Sequence, residues 1–222
     1  MRPHGVLLSV AFVYKGPCDP RREETSRLPC VKFMTETERE PIEALCDQLD
    51  TAFREDPRGK AVAGLLEAYA REHSDWEGFR HFQEGAYTRN LVRRTEDYEL
   101  LLLCWGAGEE SPIHNHMGQR CWMSILEGEV EEVHYKRQQD GAGPLIEGPT
   151  KRYKPGQAAF INDDIALHLV RGADGLAASS LHVYSKPYDV CLVYDPESGE
   201  ESARTLSYHS VDGVICGAEG SV

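Results

Sequence analysis

The chain has 222 residues, a length that allows one large domain or two smaller ones. Hydrophobic residues make up 41% and charged residues 27% of the sequence, values that are typical of globular proteins and exclude a fibrous or wholly disordered chain. The formal net charge of −13 would repel the phosphates of nucleic acid and the surface of an anionic membrane. We therefore expect a folded protein that binds neither nucleic acid nor a membrane.

The cysteines and the N-terminal segment bear on the compartment. The seven cysteines are an odd number without a CxxC pair, which argues against a disulfide framework and against a zinc knuckle. The apolar stretch at residues 6–14 is too short to cross a bilayer. We expect a cytoplasmic protein, and we expect it to be a monomer.

The first third of the chain predicts helices. Residues 1–34 show no hydrophobic period, so we expect a poorly ordered extension there. Apolar residues then recur at helical spacing in residues 42–53 and again in residues 62–69, after a Pro-Arg-Gly break. The Ser-Asp-Trp-Glu sequence at residues 74–77 matches a capping box and predicts a third, short helix.

After Gly85 the sequence changes to short β-rich runs separated by turn residues. The predicted strands cover residues 87–93, 98–105, 120–126, 129–136, 150–154, 157–161, 166–171, 178–185, 189–194 and 204–210. Because the helices precede the strands instead of alternating with them, a parallel βαβ sheet is excluded. We predict a single mainly β domain over residues 35–222, with an antiparallel barrel at about residues 87–210 and the helices packed outside it.

Three histidines form a candidate metal site. His114 and His116 are two residues apart, so both imidazoles point to one face of extended backbone. His168 lies in an apolar strand, where an imidazole needs a partner for its nitrogens. Taken singly, an HxH pair can be two solvated residues of a loop, and a buried histidine can bond the backbone. His134 follows two glutamates, which is typical of a solvated strand face.

The spacing around these histidines resembles a known superfamily. The pattern Gly108-x5-His114-x-His116-x4-Cys121-x6-Gly128 resembles the first cupin motif, with Cys121 where most cupins have a glutamate ligand. Residues 156–172 resemble the second motif. The runs at residues 87–92, 103–106, 161–163 and 180–185 resemble the mammalian-type cysteine dioxygenases, in order, over roughly residues 60–213. The resemblance implies a cupin-type β-barrel, or jelly roll.

The residues themselves favour the chemistry of that family. Without the glutamate, three neutral imidazoles leave a divalent ion with its full charge and with open coordination positions. Such a site attracts an anionic ligand, and a thiol bound there ionises readily. The resemblance implies Fe(II) as cofactor, L-cysteine and dioxygen as substrates, and cysteine sulfinic acid as product. This reaction belongs to cysteine catabolism and taurine biosynthesis.

A polar strand face is expected in the pocket. Ser180, His182 and Tyr184 alternate along one strand and therefore share a face. The resemblance implies a thioether that joins Tyr184 to Cys121, with Ser180 and His182 orienting the tyrosine hydroxyl. A buried free cysteine near a hydrogen-bonded tyrosine is the alternative.

The substrate carboxylate is assigned to Arg89, which shares a strand face with Tyr87. A guanidinium fork matches a carboxylate, although a surface ion pair would be the default without the resemblance. Cys191 matches a family cysteine near the pocket mouth. The family's Ser-Pro-Pro is Ser-Lys-Pro here, at residues 185–187, so the geometry of that loop stays open.

These observations predict a cysteine dioxygenase, an oxidoreductase that places both oxygen atoms on the sulfur of L-cysteine. One alternative is a related thiol dioxygenase that acts on cysteamine or 3-mercaptopropionate. Another is a cupin that binds metal without turnover, because a fold does not determine an activity.

Overall fold

A computed structural model of the protein describes residues 40–139, 141 and 143–217. The extension predicted for residues 1–34 lies outside the described residues, as do the first residues of the predicted domain. The described part contains two α-helices, a 3₁₀ helix at Asp75–Phe79 and a short 3₁₀ turn at Ala173–Gly175. It also contains thirteen strands, numbered here in chain order.

The helices are α1 (Pro41–Glu55) and α2 (Val62–Glu72). The strands are β1 (Thr88–Arg94), β2 (Glu99–Trp105), β3 (Ile113–His114), β4 (Arg120–Glu127), β5 (Val130–Lys136), β6 (Ile146–Tyr153), β7 (Ala158–Ile161), β8 (Leu167–Gly172), β9 (Ala178–Ser185), β10 (Val190–Tyr194), β11 (Glu201–Thr205), β12 (Ser210–Val211) and β13 (Val214–Ile215).

Both α-helices bury the apolar stripe that their sequence predicts. In α1 that stripe includes Leu45, Leu49 and Phe53, and α1 begins with Pro41, a residue favoured at the first helical position. Among the described helices, none is both long and apolar enough to span a bilayer.

The strands form two sheets. The seven-stranded sheet has the order β13-β12-β1-β2-β9-β4-β7, and the six-stranded sheet has the order β11-β10-β3-β8-β5-β6. Every strand pairing is antiparallel except that of β1 with β12. This mainly β architecture, with the α-helices packed on one outer face, confirms the predicted cupin-type jelly roll, although it consists of two sheets and not of one closed ring.

The hydrophobic residues divide between separate cores. The helices and the outer face of the seven-stranded sheet enclose one cluster, to which β2 contributes Leu100, Leu102 and Cys104. The residues that alternate with them, Leu101 and Leu103 among them, point inward to a second cluster between the sheets. The inner face of the sheets is therefore where a site can form.

Some boundaries differ from the sequence-based expectations. The strand predicted at residues 204–210 is two strands, β11 and β12, because residues 206–209 form a connection. The capping box at Ser74 makes no side-chain cap hydrogen bond within the described residues, and the helix that follows is 3₁₀. The carboxylate of Asp75 instead accepts hydrogen bonds from the Ile42 backbone amide at 2.7 Å and from the Tyr69 hydroxyl at 2.8 Å. The Ser185–Lys186 peptide bond is cis.

Candidate metal centre and substrate pocket

The structure brings the three predicted histidines together. His114 on β3 and His168 on β8 face each other in register, and their Nε2 atoms are 3.3 Å apart. His116 follows β3 and packs its ring 4.7 Å from the ring of His168. One ligand atom from each histidine lies within 4.8 Å of the others, so a single metal ion can contact all three.

Hydrogen bonds leave suitable nitrogens free at this cluster. His114 Nδ1 donates to the carbonyl of Pro112 at 2.9 Å, and His168 Nδ1 donates to a carboxylate oxygen of Glu132 at 2.8 Å. Both Nε2 atoms therefore keep a lone pair. His116 is fully buried, and neither of its ring nitrogens makes a hydrogen bond among the described residues; Nδ1 lies 3.5 Å from a carboxylate oxygen of Asp163. A divalent ion would satisfy these lone pairs, so the donor set fits a metal.

Burial also keeps two of these histidines, His114 and His168, neutral. It holds the pKa of His114 and of His168 well below the usual range of histidine, and the neighbouring imidazoles act in the same direction. A neutral imidazole is the form that coordinates a metal.

Glu132 supports the centre, and the sequence reasoning missed it. It is 1% exposed, and besides His168 it accepts a hydrogen bond from the Tyr153 hydroxyl at 3.1 Å. His134 Nε2 lies 3.2 Å from the same carboxylate and is also buried. The expectation that His134 lies on a solvated face is therefore wrong. On β5 the alternating residues Glu132 and His134 face the site between the sheets, while Val133 packs in a separate cluster. Val130, which alternates with them, packs in the cluster between the sheets.

Asp163 fixes the loop that carries His116. One carboxylate oxygen accepts the backbone N–H of His116 at 2.6 Å, and the other accepts that of Gly118 at 2.7 Å. Partial burial opposes ionisation, but the hydrogen bonds from His116 and Gly118 outweigh it and lower the pKa of Asp163 to about 2. Met117 and Gly118 both have positive φ, so the loop turns sharply between these contacts.

A hydrogen-bonded chain follows the predicted face of β9. Trp105 Nε1 donates to Ser180 Oγ at 2.9 Å, and Ser180 Oγ lies 2.9 Å from His182 Nε2. His182 Nδ1 lies 3.3 Å from the Tyr184 hydroxyl and 3.8 Å from Cys121 Sγ. Because the indole N–H can only donate, the Ser180 hydroxyl hydrogen is free to go to His182 Nε2, which leaves the hydrogen of His182 on Nδ1. Trp105 was not predicted to belong to this group.

Cys121 and Tyr184 lie directly opposite each other on β4 and β9. Burial raises the pKa of both groups far above their usual values, and burial followed by the Arg89 charge lowers the pKa of His182 to about 3. In the structure the thiol, the phenol and the imidazole are therefore neutral.

Arg89 reaches the same pocket from β1. Its guanidinium lies 5.6 Å from the centre of the Tyr184 ring, and its Nε is buried without a hydrogen-bond partner among the described residues. One terminal nitrogen is 3.2 Å from Glu99, a fully buried carboxylate that the sequence reasoning did not identify. The charge of Arg89 is therefore partly balanced already.

The cavity between these groups is small, with about 20 Å³ open to the centre of a water molecule. Its lining includes the predicted Tyr87, Arg89, His114, His168, His182 and Tyr184, together with Cys191. Tyr188 also lines it and packs edge-on against Tyr184, with ring centres 5.4 Å apart.

The fold and the three-histidine cluster define a metal-binding protein of the cupin class. Residues 37–197 match the sequence model of the family described as cysteine dioxygenase type I. The chain is 34% identical to cysteine dioxygenase type 1 of Rattus norvegicus over 155 residues, 69% of this chain and 78% of that protein. It is 32% identical to cysteine dioxygenase type 1 of Danio rerio over 178 residues, 77% of this chain and 87% of that protein. The chain belongs to the cysteine dioxygenase type I family, which confirms the family expected from the sequence.

A solved protein with a double-stranded β-helix domain from Klebsiella pneumoniae aligns with 61% of this chain and 93% of its own length, with 14% identity and a TM-score of 0.43.

Proposed function

We propose that this chain is a cysteine dioxygenase that converts L-cysteine and dioxygen into cysteine sulfinic acid. Both oxygen atoms are added to the sulfur, so the thiol and dioxygen account for every atom of the product. The observation that carries the proposal is that one small cavity is lined by Arg89, by Tyr184 and by two members of the three-histidine cluster, His114 and His168.

The proposed cofactor is ferrous iron, held by the three imidazoles of His114, His116 and His168. Iron supplies dioxygen activation and lowers the pKa of a coordinated thiol. The protein keeps the imidazoles of His114 and His168 neutral by burying them. This task requires only the side chains described above.

Arg89 is proposed to bind the substrate carboxylate, with Tyr87 beside it on the pocket wall. Tyr184 donates or accepts a hydrogen bond at the substrate, and His182 and Ser180 fix the direction of that hydroxyl. A thioether between Cys121 and Tyr184 is part of the proposal, because the two side chains lie opposite each other on paired strands. It would hold the phenol ring in one orientation.

A panel of thiols tests the substrate. Iron-loaded protein should consume oxygen with L-cysteine. Cysteamine should lose about ten- to hundred-fold in kcat/KM, because it lacks the carboxylate that would bind the part of the Arg89 guanidinium that Glu99 leaves free. 3-Mercaptopropionate retains the carboxylate but lacks the amine, so it should bind yet turn over poorly. The Arg89→Ala variant should lose the discrimination between L-cysteine and cysteamine. Wild-type preference for cysteamine would favour the alternative thiol dioxygenase.

Metal analysis tests the ligands. Single changes of His114, His116 or His168 to Ala should abolish iron retention and oxygen uptake, because two imidazoles bind the ion only weakly. His73→Ala, a change at an exposed histidine, is the matched control and should retain both. Stoichiometric iron without oxygen uptake for any thiol would identify a non-catalytic cupin. A cytoplasmic location, a monomeric state and a role in taurine biosynthesis stay predictions.

A further inference from the structure

The carboxylate of Glu99 contacts one nitrogen of the Arg89 guanidinium, the group proposed to bind the substrate carboxylate. Glu99 is the first residue of β2, is 0% exposed, and places Oε1 3.2 Å from Arg89 Nη2. Its other oxygen accepts a hydrogen bond from the Tyr208 hydroxyl at 2.6 Å and lies 3.5 Å from Arg94 Nη1. Glu99 therefore binds to three donors, and only one of them belongs to the substrate pocket.

Strand geometry explains why this carboxylate points inward. Glu99 alternates with Leu101 and Leu103, whose side chains lie between the sheets, and it stands opposite Tyr184 on β9. The register of β1 against β2 shifts between residues 91 and 93, which places Arg94 opposite Glu99. A buried charge needs such partners, so the bulge makes the position tolerable for Glu99.

We propose that Glu99 is a positioning residue that sets how strongly the pocket discriminates between substrates with and without a carboxylate. This inference rests on the proposed role of Arg89 in the cysteine dioxygenase reaction. Glu99 binds one guanidinium nitrogen of Arg89 and leaves the unpartnered Nε for the substrate. Its negative charge also repels the substrate carboxylate, because both carboxylates lie beside the same guanidinium. It therefore lowers the affinity for L-cysteine and has no such effect on cysteamine.

Removal of this charge should improve binding, a result that structural damage cannot imitate. In Glu99→Gln the amide keeps an acceptor oxygen for Arg89 but loses the negative charge. We expect the Kd of L-cysteine to fall about ten-fold, equivalent to about 1.4 kcal/mol, while that of cysteamine changes less than about two-fold. Calorimetric titration of iron-loaded protein under nitrogen measures both values without turnover. Glu127→Gln, at an exposed ion pair with Arg80, is the matched control and should change neither Kd.

A second variant keeps the inference testable if Glu99→Gln does not fold. Tyr208→Phe retains the ring against Arg89 but removes a hydrogen bond to Glu99, which strengthens the hold of Glu99 on Arg89. The Kd of L-cysteine should then rise about three-fold, with that of cysteamine unchanged. The inference would be overturned if the ratio of the two Kd values in Glu99→Gln equals that of the wild type. If Glu99→Gln does not fold, the same result in Tyr208→Phe would overturn it.

The outcomes separate this inference from the proposed function. If Arg89→Ala leaves the Kd ratio of the two thiols unchanged, Arg89 does not bind the substrate carboxylate. The role proposed for Arg89 and the role inferred for Glu99 are then both wrong. If the ratio responds to Glu99→Gln while no thiol supports oxygen uptake, the specificity role of Glu99 stands and the dioxygenase activity does not.

Discussion

Glu132→Gln should weaken metal binding although residue 132 is not itself a ligand. The carboxylate accepts the His168 Nδ1–H at 2.8 Å in a site that is 1% exposed, so its charge makes the imidazole a better donor and fixes its orientation. Loss of such a partner typically costs 10- to 100-fold in metal affinity, which corresponds to about 1.4–2.7 kcal/mol. This range agrees with the contribution of about 1.5–3 kcal/mol expected from a hydrogen bond to a charged group.

Competition with a metal chelator measures that affinity directly. Glu131→Gln is the matched control, because Glu131 is on the same strand but bonds the partly exposed Arg171 at 3.1 Å. We expect its metal affinity to equal that of the wild type. The thermal unfolding temperature should rise on metal addition by less in Glu132→Gln than in the control, because ligand stabilisation depends on Kd. Equal affinities in the two variants would refute the role of Glu132.

Three further outcomes are expected. Digestion of protein that has turned over should yield a joined peptide of Cys121 and Tyr184 that is two hydrogens lighter than the separate peptides; only separate peptides after prolonged turnover would contradict it. Asp163→Ala should destabilise the metal-free protein to urea by about 2–3 kcal/mol, since two backbone amides lose their acceptor, whereas the exposed Asp164→Ala should have little effect. Leu49→Ala, at a fully buried position of α1, should cost about 2–5 kcal/mol of unfolding free energy without changing metal affinity; an affinity change would show that the helices influence the site.

The three-histidine cluster could be predicted because its signal is local. In an HxH pair within extended sequence, and in a histidine within an apolar strand, the alternation of the strand determines on which face the side chain lies. The structure brings all three histidines together. The face of β9 was predictable for the same reason, since alternation alone places Ser180 with His182 and Tyr184. Nothing in either case depends on a distant partner.

The buried carboxylates could not be predicted in this way. Glu99 and Glu132 are charged residues in strands, and a charged residue in an alternating run normally marks the solvent face. Each is buried because its partners come from elsewhere in the chain: Arg89 and Tyr208 for one, His168 and Tyr153 for the other. The partners become visible only when the strand order is known.

The placement of the helices explains how a β-sandwich of this size can hold polar residues and a cavity in part of its interior. Buried polar groups and a cavity contribute less to stability than close-packed apolar side chains. Here the helices form a separate apolar core with the outer face of the seven-stranded sheet, which includes Leu100, Leu102 and Leu181. Each strand of that sheet can therefore gain burial on one face while its other face carries functional residues, as β9 does with Leu181 outward and His182 inward. Stability and specificity then depend on different residues of the same strands, so variants such as Glu99→Gln can alter the pocket while the helix-side core stays intact.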